Sequence, residues 1–254
     1  MTIETAPKQS WWNRIAHPGQ FVAMTQRLLW PLTIITALLF VVGLWFAFFN
    51  SPEDYQMGDT VRIMYVHVPS AWLSQFVYAV MAVSALGTLV WRHPMADVSM
   101  KAAAPLGATF TVLALFTGSL WGRPTWGTFW EWDGRMTSTL VLLFIYLGII
   151  ALWRAFDDQL RAARVIAVFT LVGAVNIPII KFSVDWWSTL HQPASVFRAD
   201  GPTMPGSILT PLFVMFFAFT FLFLTLHLKA MHTEVRRRKL MALERQAVQA
   251  GVSA

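Results

Sequence analysis

LLWPLTIITALLFVVGLWFAFF, running from Leu28 to Phe49, is twenty-two residues without a charge. A hydrocarbon core about 30 Å thick is crossed by ~20 apolar residues in helical form. Inside it every backbone N–H and C=O must be satisfied within the segment, which a helix does. The stretch therefore reads as a transmembrane helix. The same reading, carried outward, finds five more spans: roughly Ala71–Val90, Ala102–Leu120, Met136–Trp153, Val165–Ile180 and Ser207–Leu228. The fifth is short and carries Asn176 and Pro178, so it is expected to kink, with neighbouring helices satisfying the freed backbone groups. Composition agrees: 56% of residues are hydrophobic and 13% charged, where globular chains carry about 25% charge. There is no internal repeat and no linker long enough to separate a second domain. The expected fold is all-α, one polytopic membrane domain over 1–254: a bundle of six transmembrane helices between a short segment 1–26 and a basic tail 229–254. The first apolar run is too long for the core of a signal peptide and reads as an anchor that stays.

With six spans both termini share a side. That side collects fourteen Lys and Arg, among them Lys8, Arg14, Arg27, Arg92, Lys101, Arg154, Arg161, Arg164 and the run Arg236–Lys239. The other side has five: Arg62, Arg123, Arg135, Lys181 and Arg198. The positive-inside rule puts both termini in the cytoplasm. This bias accounts for the net charge of +6, so no nucleic-acid partner is implied. The basic tail reads as a cytoplasmic retention signal, with anionic lipid or a partner as the other reading.

There is no Cys. Disulfides, thiolate metal sites and covalent attachment of haem through C-x-x-C-H are excluded. No P-loop motif occurs, so the chain hydrolyses no nucleotide by that device. The middle of each span lacks an ionisable group, which argues against a self-contained pump or proton-coupled transporter. The polar chemistry sits in the outward loops.

The most informative of these runs from Trp121 to Asp133, WGRPTWGTFWEWD: four indoles and a Phe in thirteen residues. It forms a broad apolar surface suited to a large planar ligand at a membrane face, with Glu131 and Asp133 keeping it at the water boundary. The bland alternative is an aromatic belt, since Trp is enriched at both interfaces. Gly122, Pro124 and Gly127 disfavour helix at its start. Thr128-Phe129-Trp130-Glu131 fits a capping box, so a helix is expected to begin near Thr128. Of six histidines, only His67 and His191 face outward, from loops on either side of this run. His67 precedes Pro69, which suggests a helix start; His191 lies two residues before Pro193. One interfacial His is usually structural, but two neutral imidazoles across a flat apolar platform can hold haem iron from both faces. Met57, Met64 and Met204 are weaker candidates, since Met more often fills apolar gaps. Arg62, Arg123, Arg135 and Arg198 are donors that suit the propionates, and the sequence does not choose among them.

The pattern W-G-x-x-x-W-G-x-x-W-x-W-D, Trp121 to Asp133, resembles the tryptophan-rich WWD signature of the haem-handling proteins of cytochrome c maturation. The six spans, with one outward His before the signature and one after, resemble the haem exporter protein C (CcmC) family. Tyr65-Val66-His67-Val68-Pro69, Ala155-Phe156-Asp157-Asp158, Asn176-Ile177-Pro178-Ile179-Ile180 and Trp186-Trp187-Ser188-Thr189-Leu190-His191-Gln192 support the likeness. The resemblance implies a protein of the bacterial inner membrane that carries haem non-covalently (b-type) as its transported ligand, on the periplasmic side. It implies His67 and His191 as axial ligands, and Trp121, Trp126, Trp130, Trp132 and Asp133 in the cofactor-binding surface. It also implies partners: the ATP-binding cassette components A and B, a one-span component D, and the periplasmic haem chaperone, component E, which binds haem covalently through its own His. The expected role is haem delivery and not catalysis. The alternatives are an enzyme-like subunit that attaches haem to the chaperone, or a structural scaffold for the transporter.

Overall fold

Pro18 sits at the first position of the first long helix, where its missing N–H costs nothing, and the side chain of His17 accepts from the Gln20 N–H just before it. The helices of the computed structural model, which describes residues 11–251 except 56, 188, 193, 194 and 197, follow in order. They are α1 (Trp11–Ala16), α2 (Pro18–Trp45, extended by a π-helical turn Phe46–Asn50), α3 (Met64–Leu89, entered through a 3-10 turn Asp59–Ile63), α4 (Ala96–Trp126), α5 (Gly134–Ala155), α6 (Gln159–Gly173), α7 (Asn176–Trp186) and α8 (Gly206–Gln249). Among the described residues six stretches are long and apolar enough to cross a membrane: Pro18–Asn50, Asp59–Leu89, Ala96–Trp126, Gly134–Ala155, Gln159–Trp186 and Gly206–Gln249. All six expected spans are present and longer than expected, although the second ends one residue earlier, at Leu89. Lys8 and Pro193 lie outside the described residues.

α3 and α4 are the central pair; α6 and α8 also lean on α3, α5 and α8 on α4, and α2 lies along α8. The face α3 turns inward is Leu73, Val77, Tyr78, Met81 and Ala85, all fully buried at helical spacing. α4 answers with small residues, Ala103, Ala104, Ala108 and Ala114, which let backbones approach closely in a membrane bundle. Outward faces stay apolar, as on α2 at Trp30, Leu38, Val41 and Trp45, because lipid replaces water there. Buried hydroxyls tie helices together: Tyr78 Oη donates to the Thr170 carbonyl at 2.9 Å, Tyr146 Oη to that of Ser74 at 2.8 Å, and Thr36 meets Thr225 at 3.2 Å.

The expected kink in the fifth span is a full break. α6 ends at Gly173 and α7 restarts at Asn176. Pro178 is then the third residue of a new helix, where no intrahelical N–H bond is lost. Asn176 Nδ2 secures the break by donating to the Ser138 carbonyl at 2.9 Å.

α8 has 44 residues and at about 1.5 Å per residue outruns any bilayer. Its projecting part is clamped against the start of α4. Glu234 accepts from Lys101 at 3.2 Å, Arg237 at 2.7 Å and Arg238 at 2.8 Å, and Arg238 reaches Asp97 at 2.7 Å. Two members of the basic run Arg236–Lys239 are thus structural.

Candidate functional site

The tryptophan run is built differently from the expectation. α4 continues through Gly122 and Pro124 to Trp126 and stops at Gly127, whose φ of 80° is the left-handed cap conformation glycine adopts most readily. Residues 127–133 are non-helical, and the next helix starts at Gly134 and not near Thr128. Thr128 Oγ1 instead accepts the Trp130 N–H at 3.3 Å, holding a local turn. The N-cap is Asp133, whose Oδ1 accepts from Met136 N at 2.7 Å. Local propensity for a break at Gly122 and Pro124 loses to packing: Gly122 is buried and Trp121 packs on the core.

His67 is not in a loop but in the first turn of α3, with Pro69 inside that helix. Its Nδ1 lies 3.0 Å from the Ala114 carbonyl and 3.2 Å from Thr117 Oγ1. A carbonyl only accepts, and the Thr117 proton goes to the Leu113 carbonyl at 2.6 Å. Nδ1 therefore carries the hydrogen, and Nε2 keeps its lone pair with no hydrogen-bond partner among the described residues. Gly118 makes room for the ring: a Cβ there would stand 2.8 Å from His67 Cε1. The indole of Trp121, one turn further along α4, lies 5.7 Å from the imidazole at 63°.

His191 is held in the same style from another direction. Its Nδ1 lies 2.6 Å from Asp133 Oδ2, and Thr189 Oγ1 also donates to that oxygen. The His191 N–H returns to Thr189 Oγ1 at 3.1 Å. Trp126 lies 4.8 Å from the ring at 62°. Asp133 is buried, and burial alone would raise its carboxyl. The hydrogen bonds from Thr189, the Met136 N–H and His191 outweigh this and hold it below the usual carboxylate range. It is ionised, and His191 donates to it from Nδ1. Burial lowers the His191 imidazole below its ordinary 6.5, with the Asp133 hydrogen bond and charge restoring part of the loss. The ring is neutral at pH 7 and presents a bare Nε2. Asp133 thus does not mark the water boundary; Glu131 does, being exposed.

The four signature indoles divide. Trp121 and Trp126 each lean on one histidine. Trp130 and Trp132 pack on each other at 5.4 Å, with Trp132 71% exposed and Trp130 Nε1 buried without an acceptor among the described residues. The arginines divide as well. Arg62 is paired with Asp59 at 2.5 Å, Arg123 donates to the Gly127 carbonyl at 2.6 Å, and Arg198 lies 4.0 Å from Asp200. Arg135 has no ion pair within 4 Å among the described residues and lies within electrostatic reach of both imidazoles. Met64 is sealed in the core and Met204 packs against it, while the sulfur of Met57 already accepts from Trp121 Nε1 at 3.2 Å. None of the three is a free ligand.

A family model described as heme exporter protein C matches residues 11–246. The chain belongs to the heme exporter protein C family. A heme exporter protein C of Bradyrhizobium diazoefficiens is 60% identical over 230 residues, 91% of this chain and 87% of that protein. That of Escherichia coli K12 is 47% identical over 200 residues, 79% of this chain and 80% of that protein. A ccmC-like mitochondrial protein of cytochrome c biosynthesis from Marchantia polymorpha is 46% identical over 188 residues, 74% of this chain and 78% of that protein.

Within this member of the heme exporter protein C family, reading the residues missed Ala114, Thr117, Gly118 and Thr189. Three of these sit on one face of α4, at spacings of three and four residues that put them under His67 and beside Trp121. Their types are common in membrane helices, so they carried no signal. Thr189, two residues before His191, was legible only once Asp133 was known to cap α5.

Proposed function

We propose that this protein holds haem, non-covalently and as cargo, between His67 and His191 on the face that carries the tryptophan run. One observation carries the reading. Both imidazoles have Nδ1 committed to a fixed acceptor, leaving two neutral Nε2 lone pairs, each braced by a signature indole. Metal-ligating histidines are oriented in this way, by a carbonyl or carboxylate behind the ring. The carboxylate behind His191 makes it the more basic ligand. Trp121 and Trp126 supply apolar walls, and Arg135 is the donor best placed for a propionate. Trp130 Nε1 is a second donor in need of an acceptor.

In this reading the tryptophan face is periplasmic, the membrane is the bacterial inner membrane, and both termini lie in the cytoplasm, as the distribution of Lys and Arg favours. The exposed Trp132 and Phe129 form the surface from which haem passes to a periplasmic haem chaperone. Energy from nucleotide hydrolysis comes from ATP-binding cassette components A and B, with component D completing the complex. The chain itself acts as holder and deliverer and not as catalyst, since the described groups around the two histidines are committed to orienting them: Thr117 and Asp133 stand behind the rings and Thr189 donates to Asp133. The relatives' names, heme exporter and cytochrome c biosynthesis, agree with this assignment. The test is the absorption spectrum of the purified protein, alone and mixed with the chaperone. A six-coordinate bis-imidazole spectrum that decays as chaperone-bound haem appears supports the reading. A protein that never holds haem would be a scaffold.

A further inference from the structure

The loop between α2 and α3 contains a device that the haem reading does not use. Met57 places its sulfur 3.2 Å from the indole nitrogen of Trp121, which donates its hydrogen to it. The hydroxyl of Thr125, one turn further along α4, lies 3.4 Å from the same sulfur and shares its single proton with the Trp121 carbonyl at 2.9 Å. A thioether is a weak acceptor, so its position must be set by something else. It is set by the backbone. Met57 N donates to Asp54 Oδ1 at 2.9 Å, and the Met57 carbonyl accepts from Thr60 Oγ1 at 2.6 Å. Asp54 and Gly58 close the turn with hydrogen bonds of 3.3 and 2.8 Å, and Gly58 has a φ of 54°. The loop is pinned on both sides of Met57.

We propose that Met57 is a positioning residue for the haem site: its sulfur fixes the rotation of the Trp121 indole, and that indole sets the wall against which His67 stands. The inference rests on the haem reading above only for its consequence; the tether itself is a contact between two protein groups. Trp121 is a flat donor with one N–H, and its ring lies 5.7 Å from His67. Without an acceptor for that N–H, the rotation of this partly buried ring is set only by its packing on the core, which does not fix where the N–H points. The 3-10 turn Asp59–Ile63 runs from the tether directly into the first turn of α3, which bears His67. The loop thus grips the site from two sides: it holds the wall by the sulfur and the ligand by the chain.

The test uses the full-length protein with its indoles labelled by nitrogen-15, and the variants Met57→Leu and Met57→Gln. Leucine fills similar volume without an acceptor; glutamine brings an amide oxygen on an unbranched chain of similar reach. The Trp121 peak is assigned by its loss in Trp121→Phe. In haem-free protein, Met57→Leu is expected to move the Trp121 N–H peak upfield while the other indoles stay, and Met57→Gln to return it. Haem retention is expected to fall about two- to threefold in Met57→Leu, the low end for a neutral hydrogen bond because a thioether accepts weakly, and to recover in Met57→Gln. A Trp121 peak that ignores Met57→Leu overturns the tether. So does a glutamine variant that behaves like leucine, or a shift shared by all the indoles, which would make Met57 mere loop packing. A wild type that holds no haem would overturn the haem reading and leave the indole peak to decide the tether.

Discussion

At the scale of single residues, Asp133 does two jobs with one carboxylate: Oδ1 caps α5 and Oδ2 holds His191 and Thr189. Asn at this position still caps a helix but removes the charge behind the imidazole. Asp133→Asn is therefore expected to leave membrane insertion unchanged and to weaken haem binding at least tenfold, as loss of the group behind a metal-bound histidine commonly does; a haem titration checks it. The protons follow from the same contacts. The folded His191 lies below 6.5 and the unfolded one does not. The unfolded chain binds the extra proton first, so this group's contribution to stability falls as pH drops through 6.5. Haem retention should hold across that window and decline only at lower pH, where protons compete for Nε2. A retention curve with its midpoint above 6.5 would contradict the burial of His191. The two histidines were legible in the sequence because outward histidines are few. Asp133 was legible as a residue but not as a role, since a carboxylate beside indoles reads as solvent-facing until its partners are known.

At the scale of elements, the tryptophan run is two structures, for which the proposed function implies two tasks. Trp121 and Trp126 belong to the last turns of α4 and face the histidines. Trp130 and Trp132 belong to the irregular stretch before α5, and Trp132 points outward. Trp126→Ala is expected to broaden or shift the haem spectrum. Trp132→Ala should leave the spectrum intact and slow transfer to the chaperone, because exposed aromatic anchors carry much of the energy of a protein interface. Equal effects of the two on the spectrum would mean that the run is one undivided platform. Gly122 and Pro124 hid this division, because they argue locally for a break that burial of the last turns of α4 overrides. The break in the fifth span was legible as a kink from Asn176 and Pro178, since proline lacks a backbone donor and an asparagine side chain bonds backbone carbonyls.

At the scale of the molecule, six spans put the start of α2 and the end of α8 on the face opposite the tryptophan run. Reporter fusions at Thr128 and at the C-terminus should report opposite compartments, with the C-terminal fusion cytoplasmic; a C-terminus that reports outside would reverse the delivery scheme. The spans were legible almost whole, because apolar length is the strongest signal a bilayer imposes. The clamp of α8 onto α4 through Glu234, Arg238 and Asp97 was not, because charges that follow a span read as retention signals and carry no mark of their partners. In the proposed site His67 and His191 offer Nε2 to one haem iron from opposite faces. The direct measurement is the absorption spectrum of purified His67→Ala and His191→Ala, before and after addition of free imidazole. Each variant is expected to lose the six-coordinate spectrum and to regain it when imidazole refills the vacant side, while replacing His17, His93, His227 or His232 changes nothing; bis-histidine ligation requires all three. An unaltered six-coordinate spectrum in both variants would contradict it.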